Sequence, residues 1–193
     1  MKNESGKPNA LWTIIKIANP YFVLLAIVIP IAALIYAMDC HNSLVPLNYV
    51  HIMSGALWTG IDLFMGLILG PVLGGVGPGE RANVFKRLTP KMTFFMPVIA
   101  GVATTAGINL AMRLGIFSLT NPKVVWSLII VAILTIQGFG ILLPNEIRIL
   151  RQLLSDKPDI EKIGKLGMRN ARLGGIQGIL QLSIIFVMAV LRF

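Results

Sequence analysis

Charge is scarce in this chain. Lys, Arg, Asp and Glu make up 13% of its 193 residues, against roughly 25% in an average soluble domain, while mean hydropathy reaches +0.79. That shortage excludes an ordinary water-soluble domain. It also excludes a disordered chain, which needs low hydropathy and abundant charge. Cysteine is nearly absent: with Cys40 alone, neither an internal disulfide nor a Cys-x-x-Cys motif can form. There is no Walker sequence, no dinucleotide fingerprint and no metalloprotease His-Glu pair. The short alternating segments of a membrane β-barrel are missing, as are an internal repeat and a second domain.

What is there is five apolar runs, each long enough to cross a ~30 Å hydrocarbon core at ~1.5 Å per residue. They fall at 21–38, 48–69, 92–112, 124–143 and 173–190, and Asp62 is the one charged side chain among them. Backbone polar groups in lipid must be bonded internally, so runs of this length are helices. The chain is expected to be all-α, a polytopic transmembrane bundle of five spans forming one domain over 20–193, with a basic tail at 1–19. The first run has a basic start, as a signal peptide does. However, Ala37-Met38-Asp39-Cys40 lacks the small residues of a cleavage site and does not suit a lipoprotein, so a retained helix, bent at Pro30, is expected.

Lys and Arg set the orientation. Lys2, Lys7 and Lys16 lie in the tail. Arg81, Lys86, Arg87 and Lys91 follow the second span, and Arg148, Arg151, Lys157, Lys162, Lys165, Arg169 and Arg172 follow the fourth. Arg113, Lys123 and Arg192 remain for the other side. The bias predicts a cytoplasmic N-terminus and an external C-terminus in the cell (inner) membrane, and explains the net charge of +9 through topology and anionic lipid, without nucleic acid. Ile147, Leu150, Leu153 and Leu154 recur at helical spacing, so the fourth helix is expected to run past Pro144 into an amphipathic connection at 144–172. Pro158 starts the next helix, supported by Glu161 and Lys165 four apart, and this helix continues into the fifth span. The stretch Gly74-Gly75-Val76-Gly77-Pro78-Gly79 reads as flexible.

Polar residues at depth are costly unless paired, so they are the informative ones. On the second span His51, Gly55, Trp58, Asp62 and Met65 form one stripe about 40° wide, which should face the bundle. Counting from span ends puts Asp62 ~21 Å, Gln137 ~20 Å and Gln181 ~18 Å below the outer edge, one polar layer on three helices. That layer reads either as interhelical glue or as a proton- or ion-handling site. His51 counts to ~4 Å below the same edge, with Asn109 and Met188 at similar depth, and Thr105, Asn109 and Arg113 form a stripe aimed at this outer layer. For His51 three readings are open: a hydrogen bond to Asn109 or a backbone carbonyl, a haem ligand opposite Met188, or a copper ligand with Met53 or Met188. Asp39-Cys40-His41 reads as an exposed loop, and Gly66-x-x-x-Gly70 and Gly174-x-x-x-Gly178 as close helix packing. The methionines look like core filler.

Tyr49-Val50-His51, Trp58, Gly60 and Phe64 together resemble the opening helix of the HemJ family, membrane-embedded protoporphyrinogen oxidases whose wider relatives include the copper-resistance protein D type. Phe85-Lys86-Arg87-Leu88 with Pro97 and Gly107, then Lys123, then Val190-Leu191-Arg192-Phe193, extend the resemblance over 48–193. It implies a four-helix core, to which the first span is an addition, and a redox task on a tetrapyrrole. His51 would ligate haem b, Trp58 and Arg113 would lie beside the group, and Lys123 would stand at the entrance, with Arg113 or Lys123 pairing with a propionate. Where the family has a second histidine, this chain has Gln137-Gly138. The alternatives are a copper or other ion transport protein using Asp62 and His51, and a non-catalytic membrane subunit. The expected partners are membrane lipid, haem or porphyrin, and a second copy or a larger membrane complex.

Overall fold

The computed structural model describes residues 10–191, and among these the chain is six helices with no strand. A short helix α1, Ala10–Ala18, precedes α2, Pro20–Asp39. Then come α3, Val45–Gly74, and α4, Pro78–Arg113. Next are α5, Pro122–Leu153, and α6, Ile160–Leu191. The helices α2 to α6 are each long and apolar enough to cross a membrane, so the protein is a multi-pass membrane protein. Their outward side chains, such as Leu24, Ile29, Leu67, Ile133 and Phe186, are exposed and apolar, as lipid requires.

Local chemistry explains the breaks. Asn19 turns the chain at φ 76° and accepts the Tyr21 N–H with its side chain at 3.0 Å, just ahead of Pro20. Asparagine tolerates that backbone region and caps helices well. The segment 1–19 is therefore not all tail: α1 packs on α4 and leaves Leu11, Trp12 and Ile17 outward, with Lys16 over the Trp12 ring. Lys2 and Lys7 lie outside the described residues. At the Gly-rich turn the expected flexibility is overridden. Arg81 donates to the carbonyls of Leu73, Gly74 and Val76 at 2.9–3.3 Å, Glu80 accepts from the Gly77 N–H, and α4 begins at Pro78.

Both α3 and α5 carry a wide π-turn, at Phe64–Leu69 and Gly138–Leu142. In each, a donor reaches five residues back, Gly70 to Met65 and Leu143 to Gly138. Each is followed at once by a proline, Pro71 or Pro144, whose missing N–H cannot continue the ordinary ladder. Beyond Pro144 the helix runs on to Leu153.

The helices alternate in direction, so most basic residues gather at one end, here the basic end. Two apolar clusters close the bundle. Leu73, Ala82, Phe85, Ile149, Ile163 and Ala171 pack at the basic end, and Ala37, Leu47 and Ala106 near the opposite end. Between them α3 meets α6 without intervening side chains: a Cβ built on Gly66 or on Gly175 would collide with the other glycine's backbone. That contact confirms the packing expected of the small-residue pattern, with Gly175 in the place of its neighbour Gly174. The first half of α5 packs on α6 and makes little contact with α4.

Candidate functional site

Where α4 and α5 diverge, a cleft of about 280 Å3 opens between them, with α3 and α6 at its back. Two carboxylates line it, Asp62 from α3 and Glu146 from α5. Asp62 is buried, at 4% exposure. Its Oδ2 accepts from Gln181 Nε2 of α6 at 3.0 Å, and the Trp58 side chain reaches it one turn earlier on the same helix. Glu146 is half-buried, faces the Thr93 hydroxyl of α4 and lies within electrostatic reach of Asp62. None of the lining residues is Lys or Arg, and among the described residues neither carboxylate has an ion-pair partner. The rest of the wall is mainly apolar and includes Met65, Met92, Met96 and Phe139.

Amides from α6 hold the cleft's back wall. Gln177 donates to the Leu134 carbonyl at 3.0 Å and Asn170 to the Leu142 carbonyl at 3.0 Å, so the two brace α5 on either side of its π-turn. In return Gln137 donates to the Leu173 carbonyl at 2.8 Å. Asn145 joins the brace, donating to Asn170 Oδ1 at 2.9 Å and accepting from Arg148 at 3.2 Å. One group is left over: Gln181 Oε1, on a residue 2% exposed, has no donor among the described residues.

The expected polar layer therefore forms between Asp62 and Gln181, while Gln137 bonds elsewhere. Lys123 Nζ donates to the Val190 carbonyl at 2.9 Å, which fixes the register of α5 against α6. From that pin Gln181 lies ~13 Å down and Gln137 ~21 Å down at ~1.5 Å per residue. The count from 173 places Gln181 too deep, because α6 starts at Ile160 and apolarity, not helix length, sets the edge of the run.

His51 faces inward too. Its Nδ1 hydrogen-bonds with the Ala103 carbonyl at 2.9 Å, and its ring lies against Gly107 of α4, where a Cβ would come within 2.6 Å of Cε1. Of the three readings open for it, the backbone-carbonyl partner is present. Asn109 instead donates to Thr105 at 2.9 Å. Arg113 donates to the carbonyls of Met38 and Cys40, capping α2. Met188 is half-buried near the end of α6 and Met53 is exposed on α3. Arg192 and Phe193 lie outside the described residues. Of the residues assigned to a porphyrin, Trp58 alone lines the cleft, and the two cations serve as helix caps. His51, Asn109, Arg113, Lys123 and Met188 do not line it. In the loop between α2 and α3 His41 hydrogen-bonds with the Asp39 carbonyl at 2.7 Å. Among the described residues no three His, Cys, Asp or Glu side chains converge as metal ligands.

Glu146, Asn170, Gln177, Met92 and Met96 are absent as site residues from the sequence reading, which puts Met65 on the inward stripe. A signal for Glu146 exists: Thr135, Phe139, Leu142 and Glu146 follow at steps of four, three and four, one helical stripe. Hydropathy ends the span at 143, before the stripe is complete. Comparison of the chain with protein-family models, curated proteins and solved structures yields no match.

Proposed function

We propose that this multi-pass membrane protein is an ion transport protein that binds a cation in the Asp62–Glu146 cleft in exchange for a proton. The observation that carries this reading is the pairing of two carboxylates from different helices in one cleft free of basic side chains. A net charge inside hydrocarbon is costly, so each carboxylate has two neutral states, one with a proton and one with a bound cation. Alternation between them is the elementary step of cation–proton exchange. A polar group that only set helix register would bond across to the facing helix, as Gln137 of α5 and Gln177 and Asn170 of α6 do with backbone carbonyls. Asp62 and Glu146 keep partners of their own and in addition line the cleft, with no basic group there to neutralise them.

The distribution of basic residues supports a cytoplasmic N-terminus and an external C-terminus in the cell membrane. Asp62 then stands ~18 Å and Glu146 ~10 Å from the basic ends of their helices at ~1.5 Å per residue, two steps on a path from the cytoplasm. The test is proton flux in vesicles holding the purified protein and an internal pH dye, with a cation gradient imposed. Flux that vanishes in Asp62→Asn and in Glu146→Gln, both still folded, is the expected result. Flux unchanged in both variants would overturn the reading.

A further inference from the structure

Two features of the cleft narrow the kind of cation it takes. Its wall is mostly hydrocarbon, thioether and aromatic ring, from residues such as Met65, Met92, Met96, Phe139 and Trp58. A bare alkali or alkaline-earth ion gains nothing from such a surface and needs about six oxygen ligands, whereas an apolar body gains by burial and a cationic head by the ring faces. The opening is lateral. Gly101 and Thr105 on α4 and Thr135 and Phe139 on α5 are cleft-lining residues that are also exposed, where these two helices part within the lipid-facing belt. A ligand that partitions into the bilayer reaches this mouth directly, and a hydrated metal ion does not.

We infer that the ligand of this cleft is a small amphipathic organic cation, a protonated amine with a compact hydrocarbon body, which arrives sideways from the acyl-chain region and displaces a proton from the Asp62–Glu146 pair. This rests on the exchange reading above and names its substrate class. The ammonium lies at the carboxylates, and the body lies against the methionines and Phe139. At about 280 Å3 the cleft stands at the small end of ligand sites, so compact bodies fit and long chains do not. Charge balances throughout: one cation enters, one proton leaves a carboxyl group to solvent, and no bond other than O–H is broken.

The experiment is calorimetric titration of the full chain in detergent with 1-adamantylamine, alongside its neutral isostere 1-adamantanol, sodium chloride and copper(I), with proton release followed by a weakly buffered dye. The expected result is saturable binding of the amine with release of up to one proton per cation. The alcohol should bind about tenfold or more weaker, as should the amine to Asp62→Asn or Glu146→Gln. Because a variant can misfold, the wild-type protein is also titrated at several pH values, where the amine must weaken as protons compete. Equal binding of amine and alcohol would overturn the substrate class. Proton release driven by sodium or copper(I) but not by the amine would overturn it too, while leaving cation–proton exchange intact. Proton release with none of the probes, together with carboxylate-independent vesicle flux, would remove both.

Discussion

His51 and Asp62 lie on the same face of α3, three helical turns apart, and the bundle treats them in opposite ways. Around His51 the helices close: α4 offers a carbonyl to Nδ1 and a glycine to the ring. Around Asp62 they part: α6 gives one amide N–H, the Trp58 side chain reaches the carboxylate, and Asp62 lines the cleft between α4 and α5. A polar group in hydrocarbon is commonly read as a functional mark. The contrast shows that the mark belongs to the space beside the group as much as to the group itself.

The sharpest way to break the contrast is to neutralise the open site. In the double variant Asp62→Asn, Glu146→Gln, vesicle proton flux should fall to that of protein-free vesicles, while the detergent melting temperature holds or rises, since neither side chain can then ionise inside the bundle. A loss of flux that tracks unfolding would instead make the carboxylates structural. Next in size, Gly107→Val drives a branched side chain into the His51 ring, and overpacking of this kind costs about 1–3 kcal/mol. Denaturation in mixed micelles should show that loss, with amine affinity in the folded fraction unchanged. Smaller still, His51→Ala removes one hydrogen bond to a carbonyl already held in a helix, about 0.6 kcal/mol for a typical bond in a membrane bundle. Flux should persist, and its disappearance would return His51 to the functional site. Smallest, Lys123→Ala deletes an exposed contact with the end of α6 and should shift stability by about 0.5 kcal/mol or less.

Much of this was legible in advance, for reasons that can be named. Helix number and inward polar faces follow from hydropathy and the 3.6-residue period, so the five spans and the Asp62–Gln181 contact are visible in the residues. Gln181 is placed too deep because its depth is counted from the edge of an apolar run, and α6 extends 13 residues before its run begins, from Ile160 to Leu173. Glu146 is hidden for a related reason. The helix is expected to run past Pro144 and does, but with the apolar run ending at 143, Glu146 reads as part of the amphipathic connection, whereas it lines the cleft. The cleft itself has no one-dimensional signature, since it arises from the divergence of α4 and α5. The cations show the converse. The resemblance implies ligand contacts for Arg113 and Lys123, but each sits opposite a helix end that needs donors.

The bare contact of Gly66 with Gly175 has a consequence for Asp62, one turn away along α3. Two backbones in direct touch leave no compressible padding, so the gap that Gln181 must bridge is gauged by the thickness of the polypeptide itself. A single methyl added at either glycine has no side chain to push aside; it would have to lever whole helices apart, and the carboxylate would drift out of its partner's reach.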